Sequence, residues 1–228
     1  MTRPVIGILL CLALLRIPPV AAATGTAESP VMGALAPVLQ GRLSPWIAAW
    51  TAASPDFDLR RFRMKLLRNV AEEWVADSTV LGEMHENLRR KLYVTSPDST
   101  RALYPYATIS FVTRNELTTV GIGTDSAVML IDLAGHRTMW LGQCDVMCGF
   151  HEAVWLTNDR AVIAGYEVDL DDSHCPNSPA CRAIPELLVY DFTRHVVMIF
   201  QGPAVAGGPQ HEYTVQRIHD RLPNVTIY

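Results

Sequence analysis

Past its first two dozen residues this chain has no apolar run long enough to cross a bilayer core, which needs about 20 residues, and it has no cluster of basic side chains. The first absence excludes a membrane-spanning helix from the body of the chain. The second removes the electrostatic footprint by which a protein holds nucleic acid or anionic lipid. Catalytic signatures are missing as well. There is no G-x-S-x-G elbow and no phosphate loop, and His85-Glu86, His151-Glu152 and His211-Glu212 each lack the second His of a zinc-protease helix. Gly121-Ile122-Gly123 imitates part of a dinucleotide loop, but it lies between strand patterns with no helix after it, which makes it a β-turn. No cofactor is called for.

What is present begins with a leader. Residues 5–15 are apolar, Arg16 and Pro18-Pro19 close the run, and Ala21-Ala22-Ala23 follows as a small-residue cleavage site. This is the pattern of a secretory signal peptide over residues 1–23, so the mature chain is expected to be exported, periplasmic or secreted. Without Arg3 and Arg16 the balance is 17 basic against 23 acidic side chains, a mildly acidic product. Removal of Cys11 leaves Cys144, Cys148, Cys175 and Cys181. An even number of thiols in an exported chain reads as two disulfides, with three connectivities open.

Residues 24–42 are rich in Ala, Pro, Gly and Thr and read as a flexible leader. Residues 43–90 carry helical signals. Ser44-Pro45 sets an N-cap followed by proline at the first helical position, and Ser54-Pro55 repeats the device. After it Leu59, Phe62, Leu66, Val70 and Trp74 recur at three and four residues, the stripe of a longer packed helix, and a third helix is expected over residues 79–90.

From Lys91 the period becomes that of strands, and the strands repeat. Residues 91–143 and 144–203 read as two copies of one β-unit. LIDLAGHRTMWL sets against VYDFTRHVVMIF, so Asp132 matches Asp191, His136 matches His195 and Met139 matches Met198. Asp98 in SPDST matches Asp159 in TNDR, turn positions where an Asp bonds the backbone two residues on. The units resemble blades of a WD-repeat β-propeller, with LID and VYD standing where that family has its Trp-Asp dipeptide. Both lack the Trp and the Gly-His pair between blades. Two units are also too few for a ring, which takes about four to eight. The chain further resembles small exported bacterial proteins of unknown function that share the SPDST-type turn and a WL-x-x-D strand and turn. The fold class expected is α+β, with N-terminal helices packed on a mainly antiparallel β domain built from two blade-like repeats, as a sandwich or an incomplete propeller. Residues 204–228 form a tail in which 213–218 makes an edge strand.

Blade topology would gather Cys144, Cys148, His151, Asp169, Asp171, Asp172, His174, Cys175 and Cys181 at one end of the sheets. Disulfide stapling is the leading reading of the cysteines. Four thiols with two His also match a zinc site, against the C-x3-C spacing, and the three Asp match a calcium loop that lacks its glycine and closing Glu. Neither set meets its full pattern, and no metal is assigned. His151, Asp169, Asp171, Asp172 and His174 are the candidate binding residues. The function expected is a non-enzymatic exported protein that binds a protein partner with loops on a rigid β scaffold. The alternatives are a hydrolase using the same His/Asp loop and a structural subunit of an oligomer.

Overall fold

The computed structural model describes residues 29–76, 86–115, 117–170 and 181–228, and the expected signal peptide lies outside them. The chain opens with α1 (Pro30–Arg42) and α2 (Ser44–Ala53), then a 3-10 turn at Leu59–Arg61, β1 (Arg63–Asn69), β2 (Val75–Ala76) and α3 (Glu86–Arg90). It continues with β3 (Val94–Thr95), β4 (Arg101–Tyr104), β5 (Ser110–Arg114), β6 (Leu117–Gly121), β7 (Ser126–Asp132) and β8 (Arg137–Cys144). The last third holds β9 (Cys148–Trp155), β10 (Arg160–Val168), β11 (Arg182–Asp191), β12 (Val196–Gln201), β13 (Val205–Ala206), α4 (His211–Arg221) and β14 (Thr226–Ile227).

The class is α+β, mainly antiparallel sheet with a few helices, and no sheet among the described residues closes into a barrel or propeller. One sheet has the order β1-β12-β11-β10-β9, with β13 on the end of β11; another has the order β2-β8-β7-β4-β3. Each is an antiparallel meander of four consecutive strand positions with one earlier strand added beyond the last. A third, small sheet has the order β14-β6-β5, with β5 and β6 lying between β4 and β7 in the chain.

Alternation along the strands explains the layers. In β10, Ala161 and Ile163 face one core while Val162 and Ala164 face another; in β11, Leu188 and Tyr190 oppose Leu187 and Val189. Both faces of the strand are covered, so its sequence is almost continuously apolar instead of alternating with polar residues. The first face meets Leu103, Val128, Leu130, Met139 and Leu141 of the second sheet, so the two sheets pack face to face. The other face takes Met32, Leu39, Trp46 and Trp50 from α1 and α2. Beyond the second sheet, Ile218 and Leu222 from α4 and its end close a third core with Met129, Ile131 and Val120.

The turns β7–β8 and β11–β12 have one geometry. Asp132 Oδ1 accepts from the Gly135 N–H at 2.8 Å and Asp191 Oδ1 from the Arg194 N–H at 3.0 Å. His136 and His195 follow with φ of 50° and 53°, the left-handed conformation that returns the chain to the next strand.

Three expectations change and a fourth is met over the described residues. Residues 30–42 of the leader are helix α1, because Met32, Ala36 and Leu39 recur at four and three residues and are buried on the sheet. The long helix after Pro55 is instead the 3-10 turn and β1. Leu59 and Phe62 are buried as expected, but Leu66 is 46% exposed on a strand paired with β12; cross-strand pairing with a distant segment overrides the local stripe. Of the helix expected over 79–90, Glu86–Arg90 is helical and 79–85 lie outside the described residues. Residues 213–218 belong to α4, not to an edge strand.

Buried charge locks α4 in place. Tyr213, Arg217 and Arg221 recur every four residues on one helix face, and all three reach Glu152 of β9. The Tyr213 hydroxyl donates at 2.9 Å, Arg221 Nη2 donates at 2.9 Å and Arg217 Nε bonds the same carboxylate. Desolvation acts against the charge on Arg217, yet its bond to Glu152 outweighs that and holds the pKa above the usual guanidinium value.

Candidate functional site

The cysteine end of the sheets lies at the β8–β9 connection and the entry to β11. Cys144 and Cys148 stand at disulfide distance across the β8–β9 connection. Cys181, buried just before β11, is also disulfide-bonded.

Of the five candidate binding residues, His151 and Asp169 are among the described residues. His151 is fully buried, its ring 5.0 Å from that of Tyr166 and 4.7 Å from that of Tyr213. Its Nε2 lies 3.0 Å from the Gln210 carbonyl, Nδ1 has no hydrogen-bond partner, and desolvation pushes the imidazole down to about 3, so it is neutral. It is the extra residue of a bulge, since Ala164 pairs with Glu152 and Gly165 with Phe150, and a bulge re-aims the side chain it carries. Asp169 braces the mouth of the β10–β11 hairpin. Its N–H donates to the Arg182 carbonyl at 2.9 Å and its carboxylate lies 3.5 Å from Arg182 Nη1. Asp171, Asp172, His174 and Cys175 lie outside the described residues. Among the described residues no three His, Cys, Asp or Glu side chains gather as a metal site would require.

What this end does present is a cleft of about 280 Å³ where the two sheets part. Phe150, Leu188 and Ile199 form its apolar floor, continuous with the inter-sheet core. Lys65 and Arg68 of β1 stand on one side, Gln143 and the Cys144–Cys148 pair on the other, with Glu167 of β10 and Glu186 of β11 between. The polar groups form a chain. Lys65 Nζ is 2.7 Å from Glu167 Oε2, and Gln201 Nε2 donates both to Glu167 Oε2 and, at 2.9 Å, to Glu186 Oε2. Desolvation raises the Glu186 pKa, and the charge of Glu167 adds to it against the Gln201 bond. The arrangement supplies two oriented carboxyl groups, an amide that fixes them, two cations from β1 and an apolar floor.

Bulges surround this cleft. The register of β1 shifts between Met64 and Leu66, which leaves Lys65 as the extra residue, and that of β8 shifts between Trp140 and Gly142, which leaves Leu141. The bulge at His151 adjoins Phe150 of the floor. Such irregularities splay strands and redirect side chains where a sheet must open. A larger groove of about 740 Å³ runs between α1, α2 and residues 55–60, but its Arg60 and Asp58 are paired with each other at 2.8 Å. It offers no comparable convergent set.

Sequence reading missed Gln143, Glu167, Glu186 and Gln201, and set Lys65 and Arg68 on the solvated basic face of an expected helix. For two of them a signal existed. Glu186 shares strand parity with Leu188 and Tyr190, and Glu167 interrupts an otherwise apolar strand; a Glu at an inward position has no packing reason to be there. Lys65 gave none, because its strand looked helical. No family model, no curated protein and no solved structure matches the chain.

Proposed function

We propose that the chain is an exported, non-enzymatic binding protein that meets a partner protein with the cysteine end of its β domain, the cleft serving as the recognition site. One observation carries the reading: at that end rigid strands, covered on both faces, part around a cleft holding both signs of charge and the Gln143 amide. Binding sites are characteristically a few convergent polar groups over an apolar floor. Export to the periplasm or outside the cell is supported by the Cys144–Cys148 pair, since lasting disulfides belong to oxidising compartments. No helix among the described residues is long and apolar enough to cross a membrane.

The scaffold is read as two blade-like copies of one unit, an open pair packed face to face. Support comes from the two matching strand orders and from the shared Asp-to-His turn at 132–136 and 191–195.

The test is capture of a partner by the mature chain from its own compartment, compared with Glu186→Lys and Lys65→Glu variants of unchanged melting temperature. Loss of one stoichiometric partner in both variants is expected. A partner retained by both removes the cleft from the interaction.

A hydrolase is the second reading, favoured by the bridging of Glu167 and Glu186 through one amide nitrogen while desolvation raises Glu186. Two carboxyl groups held close together in unlike environments are the pairing that general acid–base hydrolysis uses. In that case Glu186→Gln abolishes turnover and leaves ligand affinity nearly unchanged.

A further inference from the structure

We infer that the cleft takes one neutral sugar ring, free or at the end of a glycan; this rests on the binding reading above. Charge balance is the first reason. Lys65 and Arg68 stand against Glu167 and Glu186, two cations with two carboxyl groups, so the site carries little net field to attract an ion. A strongly charged ligand would leave one of its charges unmatched in a half-buried site.

Hydrogen-bonding pattern is the second. Along the wall stand the Lys65 cation and the carboxyl groups of Glu167 and Glu186, the latter two joined by the Gln201 amide, with the Gln143 amide opposite. Donors and acceptors are therefore interleaved at short spacing. A hydroxyl both donates and accepts, so a ring bearing several hydroxyls satisfies such a row, whereas a ligand of donors only or acceptors only does not. Gln201 uses its amide nitrogen to hold both carboxyl groups, so their remaining oxygens are fixed before a ligand arrives, which lowers the cost of binding.

Shape is the third. The floor of Phe150, Leu188 and Ile199 is apolar and suits the C–H face of a ring. A cleft of about 280 Å³ lies at the small end of ligand sites, enough for a single ring and too small for a nucleotide.

The experiment is an amide-resolved NMR titration of the mature chain with glucose, galactose, mannose and N-acetylglucosamine, each free and at the end of a neutral oligosaccharide. Glucuronate, glucosamine and glycine are the charged controls. Saturable shifts of the Gln143 and Gln201 side-chain amides are expected from a neutral sugar, with a Kd on the order of 1 mM for a single ring and no change on adding salt. Binding at least tenfold tighter to the oligosaccharide identifies a presented glycan, and equal affinity identifies a free sugar. Gln143→Ala, at an exposed rim position, and Glu186→Ala are each expected to weaken binding at least tenfold. Should Glu186→Ala fail to fold, Gln143→Ala alone decides. If a charged control shifts these amides and no neutral sugar does, the sugar inference is overturned while the cleft remains a binding site. If no probe shifts them and the cleft variants still capture the partner, the binding reading of this end fails as well. Release of a sugar product keeps the ligand and transfers the chain to the hydrolase reading.

Discussion

The imidazole of His151 lies 4.7 Å from the phenol ring of Tyr213, at 41° to its plane, so a neutral histidine on β9 forms the seat of helix α4. Burial of the ring is what disfavours its charged form. In the fold its pKa is lowered to about 3 by desolvation, whereas in the unfolded chain it titrates near 6.5, at about the ordinary value. A depressed histidine pKa means that the unfolded state takes up the proton first as pH falls. Stability from this site is therefore complete above about pH 6.5 and is lost progressively towards pH 3. Between pH 7 and 4.5 the loss comes to about 2 to 3 kcal/mol. Carboxylates held low, such as Asp132 by its bonds to Arg137 and Gly135, add their loss at more acid pH. Urea unfolding at pH 7 and 4.5 should show this difference in the native chain and most of it removed in His151→Gln. An equal loss in the variant would show that the histidine is not the acid-sensitive group.

Glu152 is 4% exposed and receives Tyr213, Arg217 and Arg221 together. Glu152→Ala leaves two guanidinium groups half-buried against a β-strand without their anion, and a loss of about 3 to 5 kcal/mol is expected. Tyr213→Phe removes a single hydrogen bond to the charged group and costs about 1.5 to 3 kcal/mol. Denaturant midpoints measure both. Near-equal effects would mean that the arginines find other anions when Glu152 is lost.

The strands and their turns were legible because their causes are local: apolar runs bounded by Asp-bearing turns, with the Asp bonding the backbone of its own turn. Helix α1 was legible in principle. Met32, Ala36, Leu39, Leu43, Trp46 and Trp50 keep one spacing of three and four through α1 and α2, but the Ala, Pro and Gly content masked it. Strand β1 was not legible, since its pairing partner β12 lies some 130 residues away in sequence and its bulge at Lys65 breaks the period of two. The cleft shared that fate. Its cation comes from β1, its carboxyl groups from β10 and β11 and its amides from β8 and β12, and only the three-dimensional register brings them together. His151 was singled out as a candidate binding residue, while its burial against Tyr166 and Tyr213 had no local signal.

Gly165 faces the carbonyl of Gly149 so closely that an added Cβ would collide with that backbone oxygen. The close approach accompanies the β9–β10 bulge beside the cleft floor, and backbone gives way less readily than a side chain. Gly165→Ala is expected to cost about 1 to 3 kcal/mol by overpacking and to move the amide resonances of Phe150 and His151. A neutral effect on stability would mean that the bulge relaxes freely.

His136 and His195 both hold a left-handed backbone, with φ of 50° and 53°, which costs an L-residue roughly 1 to 2 kcal/mol. Glycine removes that strain and gives back about 0.5 to 1 kcal/mol of it through the entropy of the unfolded chain. His136→Gly should therefore stabilise the protein by about 0.5 to 1 kcal/mol. At the other turn His195 Nδ1 lies 3.0 Å from Glu72 Oε1, an exposed contact worth at most about 1 kcal/mol, so His195→Gly should gain less. His136→Val and His195→Val should each destabilise, because a β-branched residue is disfavoured at positive φ. Thermal melts of the four variants test the equivalence of the two turns directly. Gains at one turn paired with losses at the other, beyond what the Glu72 contact explains, would mean that the two hairpins carry unequal strain despite their matching dihedral angles.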